Sequence, residues 1–328
     1  MSRHEHQLVQ SIVYKGEELD LSFLSEASFI ETTSLDSPKL IFEYDDKEKY
    51  LRDDLNIREK DTFKILLSDP VNRDALSWEA NWVIMTMPTC EGGCITFNLI
   101  LESLHKLKRP ASSAQFFVGE PINKVLKALV PDLKLDVGVF PIKLDFHLLP
   151  GQRRTRLIRQ MAKELGAIVF IQRGTLVFRT LKELQERKPK HFYHYNDTRQ
   201  KFQIAQYSLP SDSSVIEELT HRRFISWDDT KGVIYSRKYT SLPVEYAGVA
   251  NKIVLDNLGK IPVPIIDAYM FGDGAISCGD VMDVTWNRSD LERPIDESLP
   301  RFFVIGLVSH TFKGNKYYCR IKGILDKH

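Results

Sequence analysis

His191, His194 and Asp197 offer imidazole and carboxylate donors at short spacing, the side chains a divalent ion uses. A protein metal centre needs three or four ligands in fixed geometry, and no further ligand stands near these three. The surrounding segment, Lys190 to Asn196, is polar and aromatic, which suits an exposed strand or loop. Asp228 and Asp229, with Glu245 further on, are carboxylates of the kind that cleave glycosidic bonds by acid and base catalysis. The chain carries 44 acidic residues, so such groupings arise from composition alone. Cys90 and Cys94 bracket Glu91-Gly92-Gly93, while Cys278 and Cys319 are remote from them and from each other. A structural zinc site wants two close pairs, so these are read as buried or idle thiols. Gly272-x-Gly274 lies in a β-rich stretch without the strand-to-helix context of a nucleotide loop and reads as a turn. There is no Gly-x-Ser-x-Gly elbow, phosphate-binding glycine loop or His-Glu-x-x-His. No catalytic residue, metal or cofactor is expected, and the protein should act through its surfaces.

The elements that would carry those surfaces are legible from composition and period. A chain of 328 residues calls for two or three folded units. Its 43% hydrophobic and 27% charged residues are ordinary for a folded soluble protein. Formal net charge is +1, from 45 basic and 44 acidic side chains, which lacks the basic excess of a dedicated nucleic-acid binder. No window approaches the roughly 18 apolar residues of a membrane helix. The polar start, Met1-Ser2-Arg3-His4-Glu5-His6, lacks the apolar core of a signal peptide, so folding in a cytoplasm is expected.

To about Pro88 the chain reads as β-rich, with strands at Lys39 to Tyr44, Asp61 to Leu67 and Trp82 to Met87 and a charged loop with a helical turn between the first two. From Thr96 the period changes: Phe97, Ile100, Leu101, Leu104 and Leu107 sit at helical spacing. A second helix should follow Glu120-Pro121, and a third runs from about Arg153 to Leu165, closed by Gly166. Ala167 to Ile171 and Thr175 to Phe178, separated by Gln172-Arg173-Gly174, form a hairpin with the glycine supplying positive φ at the turn. Ser214 and Glu217 fit a capping box on a short helix, and Lys252 to Leu255 reads as a strand. The last seventy residues alternate again, ending in strands Arg301 to Phe312 and Tyr317 to Ile324 around a Lys313–Lys316 turn. The basic run Arg153-Arg154-Thr155-Arg156 is by default a solvated helix face. A subunit contact comes next, since arginine is favoured at interfaces, and nucleic acid last, since few aromatics interleave.

The two β-rich ends echo each other at one constant offset: Ile57, Asp61, Phe63, Ile65 and Leu67 against Ile276, Asp280, Met282, Val284 and Trp286. Each set is a hydrophobic residue, a tight turn, an acidic residue and then an alternating strand. Such a pattern carries little information by itself, but a duplication would place two similar barrels around an α/β insertion.

Three segments resemble a known family. They are Leu144-Asp145-Phe146-His147-Leu148-Leu149-Pro150-Gly151, Arg156-Leu157-Ile158-Arg159-Gln160-Met161-Ala162-Lys163-Glu164-Leu165-Gly166-Ala167, and Gly174-Thr175-Leu176-Val177-Phe178. Together they resemble the middle domain of phage tail baseplate hub proteins, a family that includes late control protein D and the hub part of type VI secretion spikes. Gly279 to Val284, Arg301 to Phe312 and Phe29 to Thr33 are similar to its barrel strands. The resemblance implies a mainly β, α+β fold: a tube-like antiparallel barrel over 1–88, an α/β domain over 89–205 and a second such barrel over 206–328. It implies a homotrimer whose six barrels match a sixfold tail tube on one side and a threefold central spike on the other, supplied by a separate protein. Tape measure and other baseplate proteins would be further partners, with the genome passing through the lumen and no membrane involved. The place would be the virion tail baseplate, assembled in the host cytoplasm. Candidate interface residues are Phe302, Phe303, Tyr317, Tyr318, Arg153 and Arg154. A cell-wall-degrading enzyme using Asp228 or Glu245 and a monomeric binding module are the rival expectations.

Overall fold

Side chains that alternate between a packed and a wet face build most of this chain. The computed structural model describes residues 5–72, 74–236, 241–289, 292 and 294–326; the polar start Met1–His4 lies outside them. The first sheet is made by β1 (Leu8–Tyr14), the short β2 (Glu17–Glu18), β3 (Leu24–Thr32), β4 (Lys39–Asp45), β5 (Thr62–Ser68), β6 (Trp78–Ile84), β7 (Thr89–Glu91) and β8 (Cys94–Leu101). Its spatial order is β2-β1-β5-β6-β8-β4-β3, with β7 hairpinned onto β8. Phe42, Phe63, Ile65, Phe97 and Leu99 alternate inward and are buried, as a two-residue side-chain period requires. Phe97 stands 4.9 Å from Phe42 and 5.3 Å, edge-on, from Phe63, a tilted-aromatic contact that adds to the burial itself. The helix expected from Thr96 is thus a strand as far as Leu101. Its central position between β4 and β6 buries Ile100 and Leu101 as well as the alternating face, and double-sided burial imitated a helical stripe. Only α1 (Glu102–Lys108) is helical.

The middle unit continues with β9 (Gln115–Pro121), α2 (Ile122–Leu129), β10 (Lys134–Val137), β11 (Lys143–Leu148), α3 (Arg154–Leu165), β12 (Ala167–Gln172), β13 (Thr175–Thr180) and α4 (Leu181–Gln185). Leu157, Ile158, Met161 and Leu165 form the buried face of α3. Gly166 closes it at φ +63°, and the chain turns straight into β12. The hairpin turn holds Arg173 and Gly174 both at positive φ, the backbone of a tight turn matched to strand twist. The capping box of this chain is Thr180 with Glu183 on α4; α5 (Ser213–Thr220) starts at Asp212 without one.

β14 (His191–Tyr195) and β15 (Gln203–Ser208) open the last sheet. An insertion follows: α5, a three-stranded sheet of β16 (Arg223–Asp228), β17 (Gly232–Tyr235) and β18 (Val244–Tyr246), and α6 (Lys252–Leu258). The strand expected at Lys252 is this helix, because Asn251 accepts hydrogen bonds from the Ile253 and Val254 amides and so caps it. β19 (Val263–Phe271), β20 (Val281–Trp286), β21 (Phe302–Lys313) and β22 (Lys316–Leu325) complete a closed six-stranded barrel, β14-β15-β19-β22-β21-β20. Met282, Val284, Trp286 and Phe303 fill it.

Numbered by position in the chain, the six principal strands of each sheet lie in one spatial order: first, fourth, fifth, sixth, third, second. The sequence echo falls on the two fourth strands, β5 and β20. Four of the shared pairings are antiparallel in both sheets. The sheets differ in the first strand: β1 runs antiparallel to β5, whereas β14 runs parallel to β20 and to β15 and so closes the barrel. Where two closed barrels were expected, the first sheet is open among the described residues, and its second strand, β3, pairs instead with β21. One sheet therefore runs through both units. The division expected after residue 88 falls between β6 and β7, both joined to β8 of the first sheet, and the one after residue 205 falls within β15, a strand of the barrel.

Gly166 also seats the insertion on the middle unit. A Cβ there would lie 2.6 Å from the backbone of both Asn257 and Leu258 in α6. Gly166→Ala should cost on the order of 2–4 kcal/mol, from the left-handed backbone plus the clash. A urea melt checks it, and a loss of no more than about 0.5 kcal/mol, the level of a surface substitution, contradicts the packing.

Candidate assembly interface

The groups that could have done chemistry do not converge. His191 is buried, with Nε2 3.2 Å from Asp280 Oδ2, while His194, three residues along the same strand, projects to the opposite face. Among the described residues no group of three or more His, Cys, Asp or Glu side chains could hold a metal ion. Asp228 ends β16 by accepting from the Thr230 hydroxyl and the Thr230 and Lys231 amides, which hold its carboxyl below the usual range. Glu245 is paired in register with Phe224, about 13 Å back along the strand at 3.3 Å per residue. The two carboxylates are thus no catalytic pair. Glu245 lines a groove of about 1080 Å³ between α3 and the insertion, which also takes in Asp145, Glu164, Arg159, Lys163 and Lys260, a lining of mixed sign. Cys90 is exposed; Cys278 and Cys319 are buried, and burial pushes their thiols up, that of Cys319 to about 12.

Where β3, the β12–β13 turn and the 272–280 loop meet, a buried polar clasp joins all three parts of the chain. Glu31 on β3 is fully buried and accepts from Ser277 Oγ at 2.6 Å and from the Arg173 amide at 3.2 Å. Arg173 Nη2 donates to the carbonyls of Gly274 (2.5 Å) and Ile276 (3.0 Å) and to Gln7 Oε1 (3.2 Å). His310 Nε2 lies 3.0 Å from the Ile276 carbonyl. That carbonyl can only accept, so Nε2 carries the proton and Nδ1 accepts from the Tyr317 hydroxyl at 3.0 Å. Burial, then the nearby Arg173, lowers the His310 pKa to about 3. Burial pushes the Glu31 carboxyl up, against the pull of Arg173. Sequence reasoning missed this clasp. Its one local signal is a glutamate on the inward face of an otherwise alternating strand, two residues after Phe29.

The expected interface residues separate into two groups. Phe303 is 1% exposed and packs in the barrel core, and Tyr317 packs against that core and on His310. Each lies on the inward face of its strand. Phe302 is 45% exposed, under the Arg301 guanidinium, which also pairs with Asp283. Tyr318 is half-buried on the outer face. Arg153 precedes α3 and Arg154 begins it, exposed and half-buried respectively. Across the barrel, Phe192, Asp283 and Phe302 are neighbours in register, so Phe192, 59% exposed, extends the Phe302 patch.

Two sheets of one strand order, joined by the β3–β21 pairing, with an α/β unit between them, make up this fold, and similar folds occur among phage tail proteins and in a type VI secretion component. The chain has the fold of a tail protein from Neisseria meningitidis MC58 (TM-score 0.64, 12% identity, 97% of this chain and 96% of that one). It also matches the 43 kDa tail protein of prophage MuSo2 from Shewanella oneidensis (TM-score 0.61, 9% identity, 97% and 99%). A third is the E. coli c3393 protein, a type VI secretion component described as structurally similar to the T4 bacteriophage tail proteins gp27 and gp5 (TM-score 0.52, 9% identity, 96% and 76%). No protein-family model matches the chain, and no curated protein matches it in sequence. No helix among the described residues is long and apolar enough to cross a membrane.

Proposed function

We propose that this protein is the structural hub of a phage tail baseplate. Three copies close into a ring of six similar sheets, joining a sixfold tail tube to a threefold central spike and starting tube assembly. The observation that carries this is the repeated strand order: one chain holds two sheets of that order, joined through β3 and β21, so three chains supply six. A threefold ring uses one head-to-tail contact repeated until it returns to its start. A permanent contact of this kind buries roughly 2,000 Å² or more. In this reading the first sheet to Leu101 and the closed barrel are the tube-like parts, and the 102–185 unit and the insertion are the surfaces for spike, tape measure and other baseplate proteins. Phe302, Tyr318, Arg153 and Arg154 remain candidates for those contacts. The genome would pass through a lumen that makes no specific base contacts, in the virion tail baseplate, after assembly in the host cytoplasm. The protein would work without catalysis, and the separation of Asp228 from Glu245 supports that.

Native mass spectrometry of the full chain at micromolar concentration, alone and with its phage's spike protein, tests the proposal. Three chains per particle is the expected result in at least the second mixture. One chain per particle in both overturns it.

A further inference from the structure

Two of the smaller sheets end in free edges, and both edges open onto one groove. β18 is the outer strand of its sheet and pairs only with β16, in parallel. The Arg223 amide donates to the Pro243 carbonyl, and the Ala247 amide donates to the Ile225 carbonyl. An evenly spaced parallel ladder between those two bonds uses both backbone groups of Glu245. It turns the N–H and C=O of Val244 and Tyr246 away from β16. β12 is likewise an outer strand and pairs only with β13. Gln172 and Thr175 close its two-residue turn, so alternation back along the hairpin points the backbone groups of Ala167 and Val169 away from β13. No strand pairs with either edge among the described residues.

The groove of about 1080 Å³ between α3 and the insertion is lined by one run from Glu245 to Val249 and by another from Gly166 to Val169. A strand seen face-on contributes every second residue. An unbroken run is what a strand gives when it presents its edge. The volume exceeds the roughly 300–1,000 Å³ of small-molecule sites and suits several residues of extended chain. Phe224, Val249, Leu258 and Ile261 make part of the lining apolar. Of its charged side chains, Arg159 pairs with Asp36, Asp145 accepts from the Gly119 amide and Glu164 accepts from Gln160. Lys163, Lys260 and Glu245 also line it, and none of the three is ion-paired among the described residues. Two cations to one anion favour an occupant of net negative charge.

We propose that this groove seats an extended, net-acidic segment of another baseplate protein, which adds as a strand along β18 and pairs with the backbone of Tyr246. A strand supplies the donors and acceptors that a free edge lacks. Its alternate side chains meet the apolar lining, and its carboxylates meet Lys163 and Lys260. The proposal rests on the hub reading only for where the partner comes from, and the ring plays no part in it.

A displayed library of random linear peptides, selected on the full chain, tests it. The expected winners are net-acidic, with apolar residues at alternate positions. Synthetic copies are then measured by fluorescence anisotropy against variants of the chain. Tyr246→Pro removes an N–H that β16 does not use, so the sheet keeps its own ladder. It should bind the winners roughly tenfold more weakly than Tyr246→Ala, because both lose the ring and only the first loses the amide hydrogen bond. Lys163→Glu/Lys260→Glu, which leaves the backbone alone, should also weaken binding, so a misfolded proline variant leaves the charge reversal to decide. Equal binding to the proline and alanine variants overturns the strand pairing. No enrichment over the charge-reversed chain overturns the site. Particle mass that grows with protein concentration, and does not in Tyr246→Pro, gives the groove to a second copy and overturns the partner. One-chain particles in the presence of spike overturn the hub without touching peptide binding, so the two failures are told apart.

Discussion

Replacing Arg173 with methionine should cost about 3–5 kcal/mol of folding stability, the range for leaving a buried charge uncompensated, since the Arg173 charge acts on Glu31 through space. Methionine keeps the aliphatic stem but leaves Glu31 buried beneath Ser277 without its cation, and leaves two loop carbonyls and Gln7 without their donor. Glu31→Gln in the same chain removes the stranded carboxylate, so the double variant should be less damaged than the two single losses summed, by on the order of 1–3 kcal/mol. Guanidinium unfolding of wild type, both single variants and the double checks this cycle. Additive losses would mean that the clasp is a set of independent contacts and does not lock the first sheet to the barrel.

The second large effect is on acid stability. His310 is neutral in the fold down to pH about 3, whereas in the unfolded chain it titrates near 6.5. Above 6.5 it is neutral in both states and its stabilising contribution is fully present. As pH falls below 6.5 the unfolded chain takes up a proton that the folded protein refuses. Stability is then lost at up to about 1.4 kcal/mol per pH unit until pH nears 3. Arg173 and His191 face His310 and hold the folded pKa low, in addition to burial. Glu31 works the other way: its raised folded value means that acid relieves a cost until its unfolded value is passed. Comparison with His310→Gln separates the two, since the variant keeps Glu31. The stability difference between wild type and variant should shrink by roughly 2–3 kcal/mol between pH 6.5 and 4.5. A difference that stays constant with pH contradicts the assignment of the buried, neutral imidazole.

What was legible beforehand was local. The α3 helix, its glycine stop and the β12–β13 hairpin announce themselves, because the side-chain period changes from helical to alternating across one residue that must take positive φ. The echo between β5 and β20 was also visible, and the two segments do hold the same place in their sheets. The failures came where a neighbour decides the outcome. Burial on both faces made β8 look helical, and the Asn251 cap, invisible to a count of apolar residues, made a helix of the Lys252 segment. The clasp was hidden for a different reason. Glu31 finds Ser277 at a separation of 246 residues and Arg173 at 142, and no pattern within a window connects them. The candidate interface suffered from the same limit: Phe302 and Phe303 are adjacent in sequence, yet strand alternation sends one to the surface and the other into the core.

Cryo-electron microscopy of the protein assembled with its spike, viewed down the particle axis, is the most direct test of the whole reading. The reading requires six lobes around a central opening, alternating between the open sheet and the closed barrel, contributed by three chains. A particle in which the two sheets of a chain lie at different radii or heights, so that no circle of six forms, would contradict it.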